Sequence, residues 1–160
     1  MELANAGWNR RLSPGVELIG SRAHQNMAEA WYTIDRRIQV TVGWAFGASG
    51  PTYLEMQGWR GGDMAIIDRN DALRHLPIGH ARSVLRPYIE EWALARARKE
   101  IGDLPKRTDT EEQYQLSATA YRRLVELGVV RTNEVLSQWS GASVETWTAR
   151  VRRMRRDGLL

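Results

Sequence analysis

Five arginines, Arg150, Arg152, Arg153, Arg155 and Arg156, fall within seven consecutive positions near the end of the chain. A guanidinium pairs with a phosphate or forks onto a base edge, so what matters is which side of an element these groups share. On a helix from Ser143 to Arg156, Val144, Trp147, Val151 and Met154 recur every three or four residues and are predicted to face inward. The opposite side then carries Glu145, Thr148, Arg152 and Arg155, flanked by Arg153 and Arg156, with Ala149 small enough to let a groove approach the backbone. Ser143 is a good N-cap, with Thr146 in the first turn. The pattern suits double-stranded DNA: Thr148, Arg152 and Glu145 at base edges, and Arg150, Arg153, Arg155 and Arg156 at phosphates. Basic residues in a last turn also complement the helix dipole, but five in seven positions exceed that need.

Other chemistry is poorly supplied. There are no cysteines, which removes disulfides, thiolate metal sites and cysteine nucleophiles. His24, His75 and His80 have no zinc-like spacing, and no metal is expected. The pairs Asp68 and Asp71, and Glu90 and Glu91, read as helix caps and exposed faces. No phosphate-binding glycine loop or nucleophile elbow is present, so neither an enzyme nor a cofactor is expected. Of seven tryptophans, Trp8, Trp31, Trp44 and Trp92 read as core. Trp59, in Gly58-Trp59-Arg60-Gly61-Gly62, is the one placed to anchor a partner or effector. Arg36-Arg37 and Arg96-Arg98-Lys99 read as solvent-facing.

Three helical segments must position the arginines. Glu111 to Leu127 offers Tyr114, Ala118, Tyr121, Leu124, Val125 and Leu127 as a core face. Thr132 to Trp139 has Thr132 as an N-cap and Val135, Leu136 and Trp139 on its apolar side. Gly141 allows a sharp turn before Ser143 to Arg156, and Gly158 supplies the left-handed residue that lets a leucine fold back on the last turn. Nothing after Leu160 could form a β-wing, so a plain three-helix arrangement is expected.

Ser137, Gly141, Ser143, Thr146, Trp147, Arg150, Val151 and Gly158-Leu159-Leu160 together resemble the helix-turn-helix superfamily. The pattern is similar to short helix-turn-helix proteins of actinobacteria and their phages, over about the last 50 residues. The resemblance implies a DNA-binding domain whose last helix enters the major groove. Two positions depart from it: Ser140 stands where an apolar residue usually precedes the glycine, and Trp147 is large for its place. Trp139 is expected to take over the packing.

The first part of the chain has a different period. Pro14-Gly15 precedes an apolar Val16–Ile19, and Ile38, Val40, Val42 and Trp44 alternate with Gln39, Thr41 and Gly43, the mark of a strand with one buried face. Turn chemistry at Gly47–Pro51 and Gly61–Asp63 brackets Tyr53–Gln57 and leads into Met64–Ile67, giving three to five antiparallel strands. A short helix follows through Leu73 and Leu76. Pro77 interrupts it, and in the longer run to about Glu100 Pro87 marks either a kink or the first position of a second helix, the second arrangement being favoured. Ile101–Thr110 reads as a linker.

The fold class is therefore α+β: an antiparallel β-rich module with one or two following helices over residues 1–104, then the three-helix domain over 105–160. The hydrophobic fraction of 42% and charged fraction of 26% are those of a folded chain, and the net charge of +4 suits a polyanionic partner. No run reaches the roughly 18 apolar residues that span a bilayer, and MELANAGWNRRLSPG lacks a signal-peptide core, so a cytoplasmic protein with no membrane partner is expected. The leading expectation is a sequence-specific DNA-binding regulator. It is expected to act as a homodimer, the N-terminal module serving dimerisation, sensing or a protein contact. The alternatives are a DNA-binding accessory of phage or mobile-element recombination, replication or packaging, and an adaptor that binds an acidic protein through its basic helix.

Overall fold

The computed structural model describes residues 12–48, 50–58 and 78–160. It is α+β: a four-stranded antiparallel sheet followed, among the described residues, by four helices. The chain divides into two compact units, Met1–Tyr88 and Ile89–Leu160. The expected strand at Met64–Ile67, the helix through Leu73 and Leu76, the Asp68–Asp71 pair, His75, Trp8 and Trp59 lie outside the described residues.

In the first unit, β1 (Val16–Ala23), β2 (Met27–Ile34), β3 (Ile38–Ala45) and β4 (Tyr53–Gly58) are neighbours in chain order. The register sets Ala28, Ala30, Tyr32 and Ile34 opposite Trp44, Val42, Val40 and Ile38, and all eight side chains are buried. This is the apolar face that the alternation in β3 requires. The start of α1 (Ile78–Ile101) bonds to it: the Tyr32 hydroxyl lies 3.0 Å from His80 Nδ1, and the Arg82 guanidinium is 5.8 Å from the centre of the Trp44 ring.

The other face is also covered at its centre, where a half-wet sheet would have left it open. Glu29, Thr33 and Thr41 are buried, and Glu29 accepts from Arg22 Nε at 2.9 Å, His24 Nε2 at 3.1 Å and the Tyr53 hydroxyl. Tyr53 reaches Glu29 by lying across Gly43, where an added Cβ would sit 2.0 Å from a ring carbon. The β2–β3 turn places both Asp35 and Arg36 at positive φ, 49° and 54°, closed by Arg37 N–H on Ile34 O at 2.9 Å. That is the mirror-image turn whose twist suits a hairpin, built here without glycine.

α1 is a single helix through Pro87, where a kink or, by preference, a second helix was expected. Buried residues recur at every fourth position, Ala81, Leu85, Ile89, Ala93 and Ala97, and Pro87 falls on the exposed side between them. The apolar stripe therefore continues past the missing N–H.

The second unit adds α2 (Glu111–Glu126), α3 (Thr132–Ser140) and α4 (Val144–Arg156). Thr110 and Gln113 form a capping box at the start of α2. Gly128, at φ 82°, closes its other end with Val129 N–H on Leu124 O and Gly128 N–H on Val125 O, both 3.0 Å. Gly158 repeats this motif after α4, with Leu159 N–H on Met154 O at 2.9 Å. As expected, Leu159 then packs on the core of Leu124, Leu136, Trp139, Trp147 and Met154.

Four local expectations are corrected. Val125 is 49% exposed and Val144 37% exposed. The buried residues of α2 are Tyr114, Ser117, Ala118, Ala120 and Leu124; Val125 is in phase with Tyr114 and Ala118 but lies exposed in the last turn, while Val144 begins its helix at the rim of the core. Thr132 is the first helical residue of α3 rather than its cap, and its hydroxyl donates to Val129 O at 3.2 Å. The expected linker carries Leu104, buried in the core, and Gly102, whose carbonyl accepts from Trp139 Nε1 at 3.1 Å. A loop composition says nothing of whether the loop is held, and this one is. No helix among the described residues is long and apolar enough to cross a membrane.

Candidate nucleic-acid interface

The turn between α3 and α4 fixes the direction of the basic helix. Gly141 sits at φ 70°, ψ 10°, a left-handed position that favours glycine, and its N–H donates to Ser137 O at 2.9 Å. Ser143 is extended, and its hydroxyl accepts from Thr146 N–H at 3.2 Å, capping α4. Ser140, immediately before Gly141, explains its own presence. Its hydroxyl donates to Leu136 O at 2.8 Å and accepts from Trp147 Nε1 at 2.7 Å and Ala142 N–H at 3.2 Å. A hydroxyl has one donor and two acceptor sites, so it is saturated. Trp147 is wholly buried, and its indole N–H would otherwise have no partner there. The two departures from the superfamily pattern are thus one compensating pair. Trp139 packs in the same buried core as Trp147, as expected, while its own N–H donates to Gly102 O.

Trp147, Val151 and Met154 form the buried side of α4. Glu145, Ala149, Arg152 and Arg156, spaced i, i+4, i+7 and i+11, form an exposed line opposite. Thr148 and Arg155 flank that line on one side and Thr146 and Arg153 on the other. Arg152 makes no hydrogen bond or ion pair with any described residue. Arg155 Nη2 donates to the Tyr121 hydroxyl at 3.2 Å. Arg153 lies 5.0 Å from the centre of the Tyr114 ring, with its Nε 3.5 Å from Asp157 Oδ2. Arg156 Nε lies 3.4 Å from Asp157 Oδ1. All four guanidinium groups are exposed, and their contacts are surface pairs worth little on their own.

Two expected contact residues face other work. Thr148 donates to Val144 O at 2.9 Å and accepts from Asn133 Nδ2 at 3.2 Å, so its hydroxyl ties α4 to the first turn of α3. Arg150 is half-buried: Nη2 donates to Lys106 O at 2.7 Å and the guanidinium stacks 5.0 Å from the centre of the Trp147 ring. Burial pulls its pKa below the usual arginine range, with Asp109 opposing.

The carboxylates at both ends of α4 stay ionised. Glu145 is held below the usual range by its own backbone N–H and then by the Ser143 hydroxyl, in the first turn where the helix dipole also favours an anion. Asp157 is lowered chiefly by the Tyr114 hydroxyl, 3.1 Å away, and then by Arg156 and Arg153. Among the described residues no His, Asp and Glu side chains gather into a metal-like group.

Compared with protein-family models, curated proteins and solved structures, the chain matches none. Two features went unread in the sequence. Asn133 bridges the helices, and Lys106-Arg107 lies in a segment whose Gly, Pro and charges signalled only a loop. A Lys-Arg pair ending three residues before the Thr110 cap was the available signal.

Proposed function

We propose that this protein binds double-stranded DNA sequence-specifically, its last three helices acting as a helix-turn-helix with α4 in the major groove. The observation that carries this is the exposed line Glu145, Ala149, Arg152 and Arg156 on a helix whose other side is locked by Trp147 into a packed core. A small residue at the centre lets the helix axis approach the bases. Arg152, unpaired among the described residues, suits the O6 and N7 acceptors of guanine, and Glu145 the N4 amino group of cytosine. Arg153, Arg155 and Arg156 reach the phosphates that border the groove. One such helix covers only a few base pairs, so a cytoplasmic regulator acting as a homodimer on a two-fold symmetric site follows from the same reading.

Salt titration of duplex binding, followed by fluorescence anisotropy, tests this. The three phosphate contacts from α4 alone contribute about −2.7 per subunit to the slope of log affinity against log salt. Binding that does not weaken with salt, or no binding at low salt, refutes it.

A further inference from the structure

We infer that the strap between α1 and α2 is part of the same interface, with Lys106 and Arg107 contacting phosphates along one flank of α4; this rests on the DNA-binding reading above. The strap is fixed at four points. Trp139 Nε1 holds Gly102 O, Leu104 is buried in the helical core, Arg150 Nη2 holds Lys106 O at 2.7 Å, and Gln113 Oε1 accepts from Asp109 N–H at 2.9 Å. Its two cations are nevertheless exposed and have no partner among the described residues.

Arg150 decides where they point to act. It lies one turn from Thr146 and Arg153 on α4, so the carbonyl it grips places Lys106 and Arg107 beside that flank rather than elsewhere on the unit. A helix seated in a major groove about 12 Å wide has a phosphate backbone along each side. The strap widens the cationic flank facing one of those backbones, where lysine acts as a point charge and arginine as a fork. Arg150 is then a positioning residue: it gives up direct contact with the polyanion to hold a segment that carries two charges.

The test compares two double variants of the full chain by salt titration on the same duplex. K106Q/R107Q is expected to make the slope shallower by about 1.8, leaving preference between duplexes unchanged. R98Q/K99Q removes equal charge from exposed positions near the end of α1 and is expected to leave the slope as it was. Thermal melts check that both fold, which surface substitutions should allow. If the wild type binds and the strap variant keeps its slope, or if both variants lose slope equally, the strap has no such role. If the wild type shows no salt-dependent duplex binding, the parent reading fails first and takes this one with it.

Discussion

Replacing Ser140 by alanine removes one oxygen and disturbs three hydrogen bonds. Leu136 O retains its place in α3, and Ala142 N–H lies in a turn. The Trp147 indole N–H, however, is left inside a side chain with no exposed surface. An unsatisfied buried donor costs about 1–3 kcal/mol, and the two lesser bonds add a few tenths each. Alanine returns part of this through better helix propensity, about 0.5 kcal/mol at most in a last helical position. The net expectation is a loss of about 2 kcal/mol. If the indole N–H is the cause, the loss must shrink when that N–H is absent. In a Trp147→Phe background Ser140→Ala should therefore cost less than about 1 kcal/mol, a coupling of about 1–2 kcal/mol. Urea denaturation followed by the helical circular dichroism signal measures all four corners of the cycle. Equal costs in both backgrounds, or a single-variant cost within 0.5 kcal/mol of zero, would refute the claim that these two residues compensate each other.

Three further outcomes follow from the β-rich unit. Converting Asp35-Arg36 to Asn-Gly should raise stability by about 1 kcal/mol, because both residues occupy left-handed backbone and the turn type favours that pair; an unchanged thermal midpoint counts against it. Glu29 is held below its ordinary value of 4.5, chiefly by the Tyr53 hydroxyl and then by Arg22 and His24. The stability it contributes is therefore present above that value and lost as pH falls through the lowered one, so Glu29→Gln should flatten the acid limb of stability against pH, and parallel curves would contradict this. Tyr53 is pushed up to about 12 by burial and by Glu29. Gly43→Ala drives a Cβ into its ring, so the tyrosine should titrate nearer 10, read by absorbance, with a loss of about 1–3 kcal/mol.

The elements were legible where one residue type repeats with one period. The alternation from Ile38 to Trp44, the stripe Trp147, Val151 and Met154, and the glycines at 141 and 158 all stand where local chemistry places them. What escaped depends on partners distant in sequence. Glu29, Thr33 and Thr41 look solvent-facing by type, yet all three are buried, and Tyr53 and Arg22 of β1 bond to Glu29 on that face. Pro87 looks like a helix start, but its ring points outward and the stripe runs on. In the candidate site, the arginines were found by type and phase. Which of them is tied inward could not be read, because the grip of Arg150 on Lys106 spans 44 positions.

The most direct test of the central claim is selection of bound duplexes from a random pool, run in parallel with wild type and Arg152→Ala. The wild type is expected to enrich a single motif with two-fold symmetry. The variant is expected to lose discrimination at one position per half-site, by about 10- to 100-fold, while Arg156→Ala weakens all sequences alike. No enriched motif, or the same motif undiminished in Arg152→Ala, would contradict the placement of α4 in the groove.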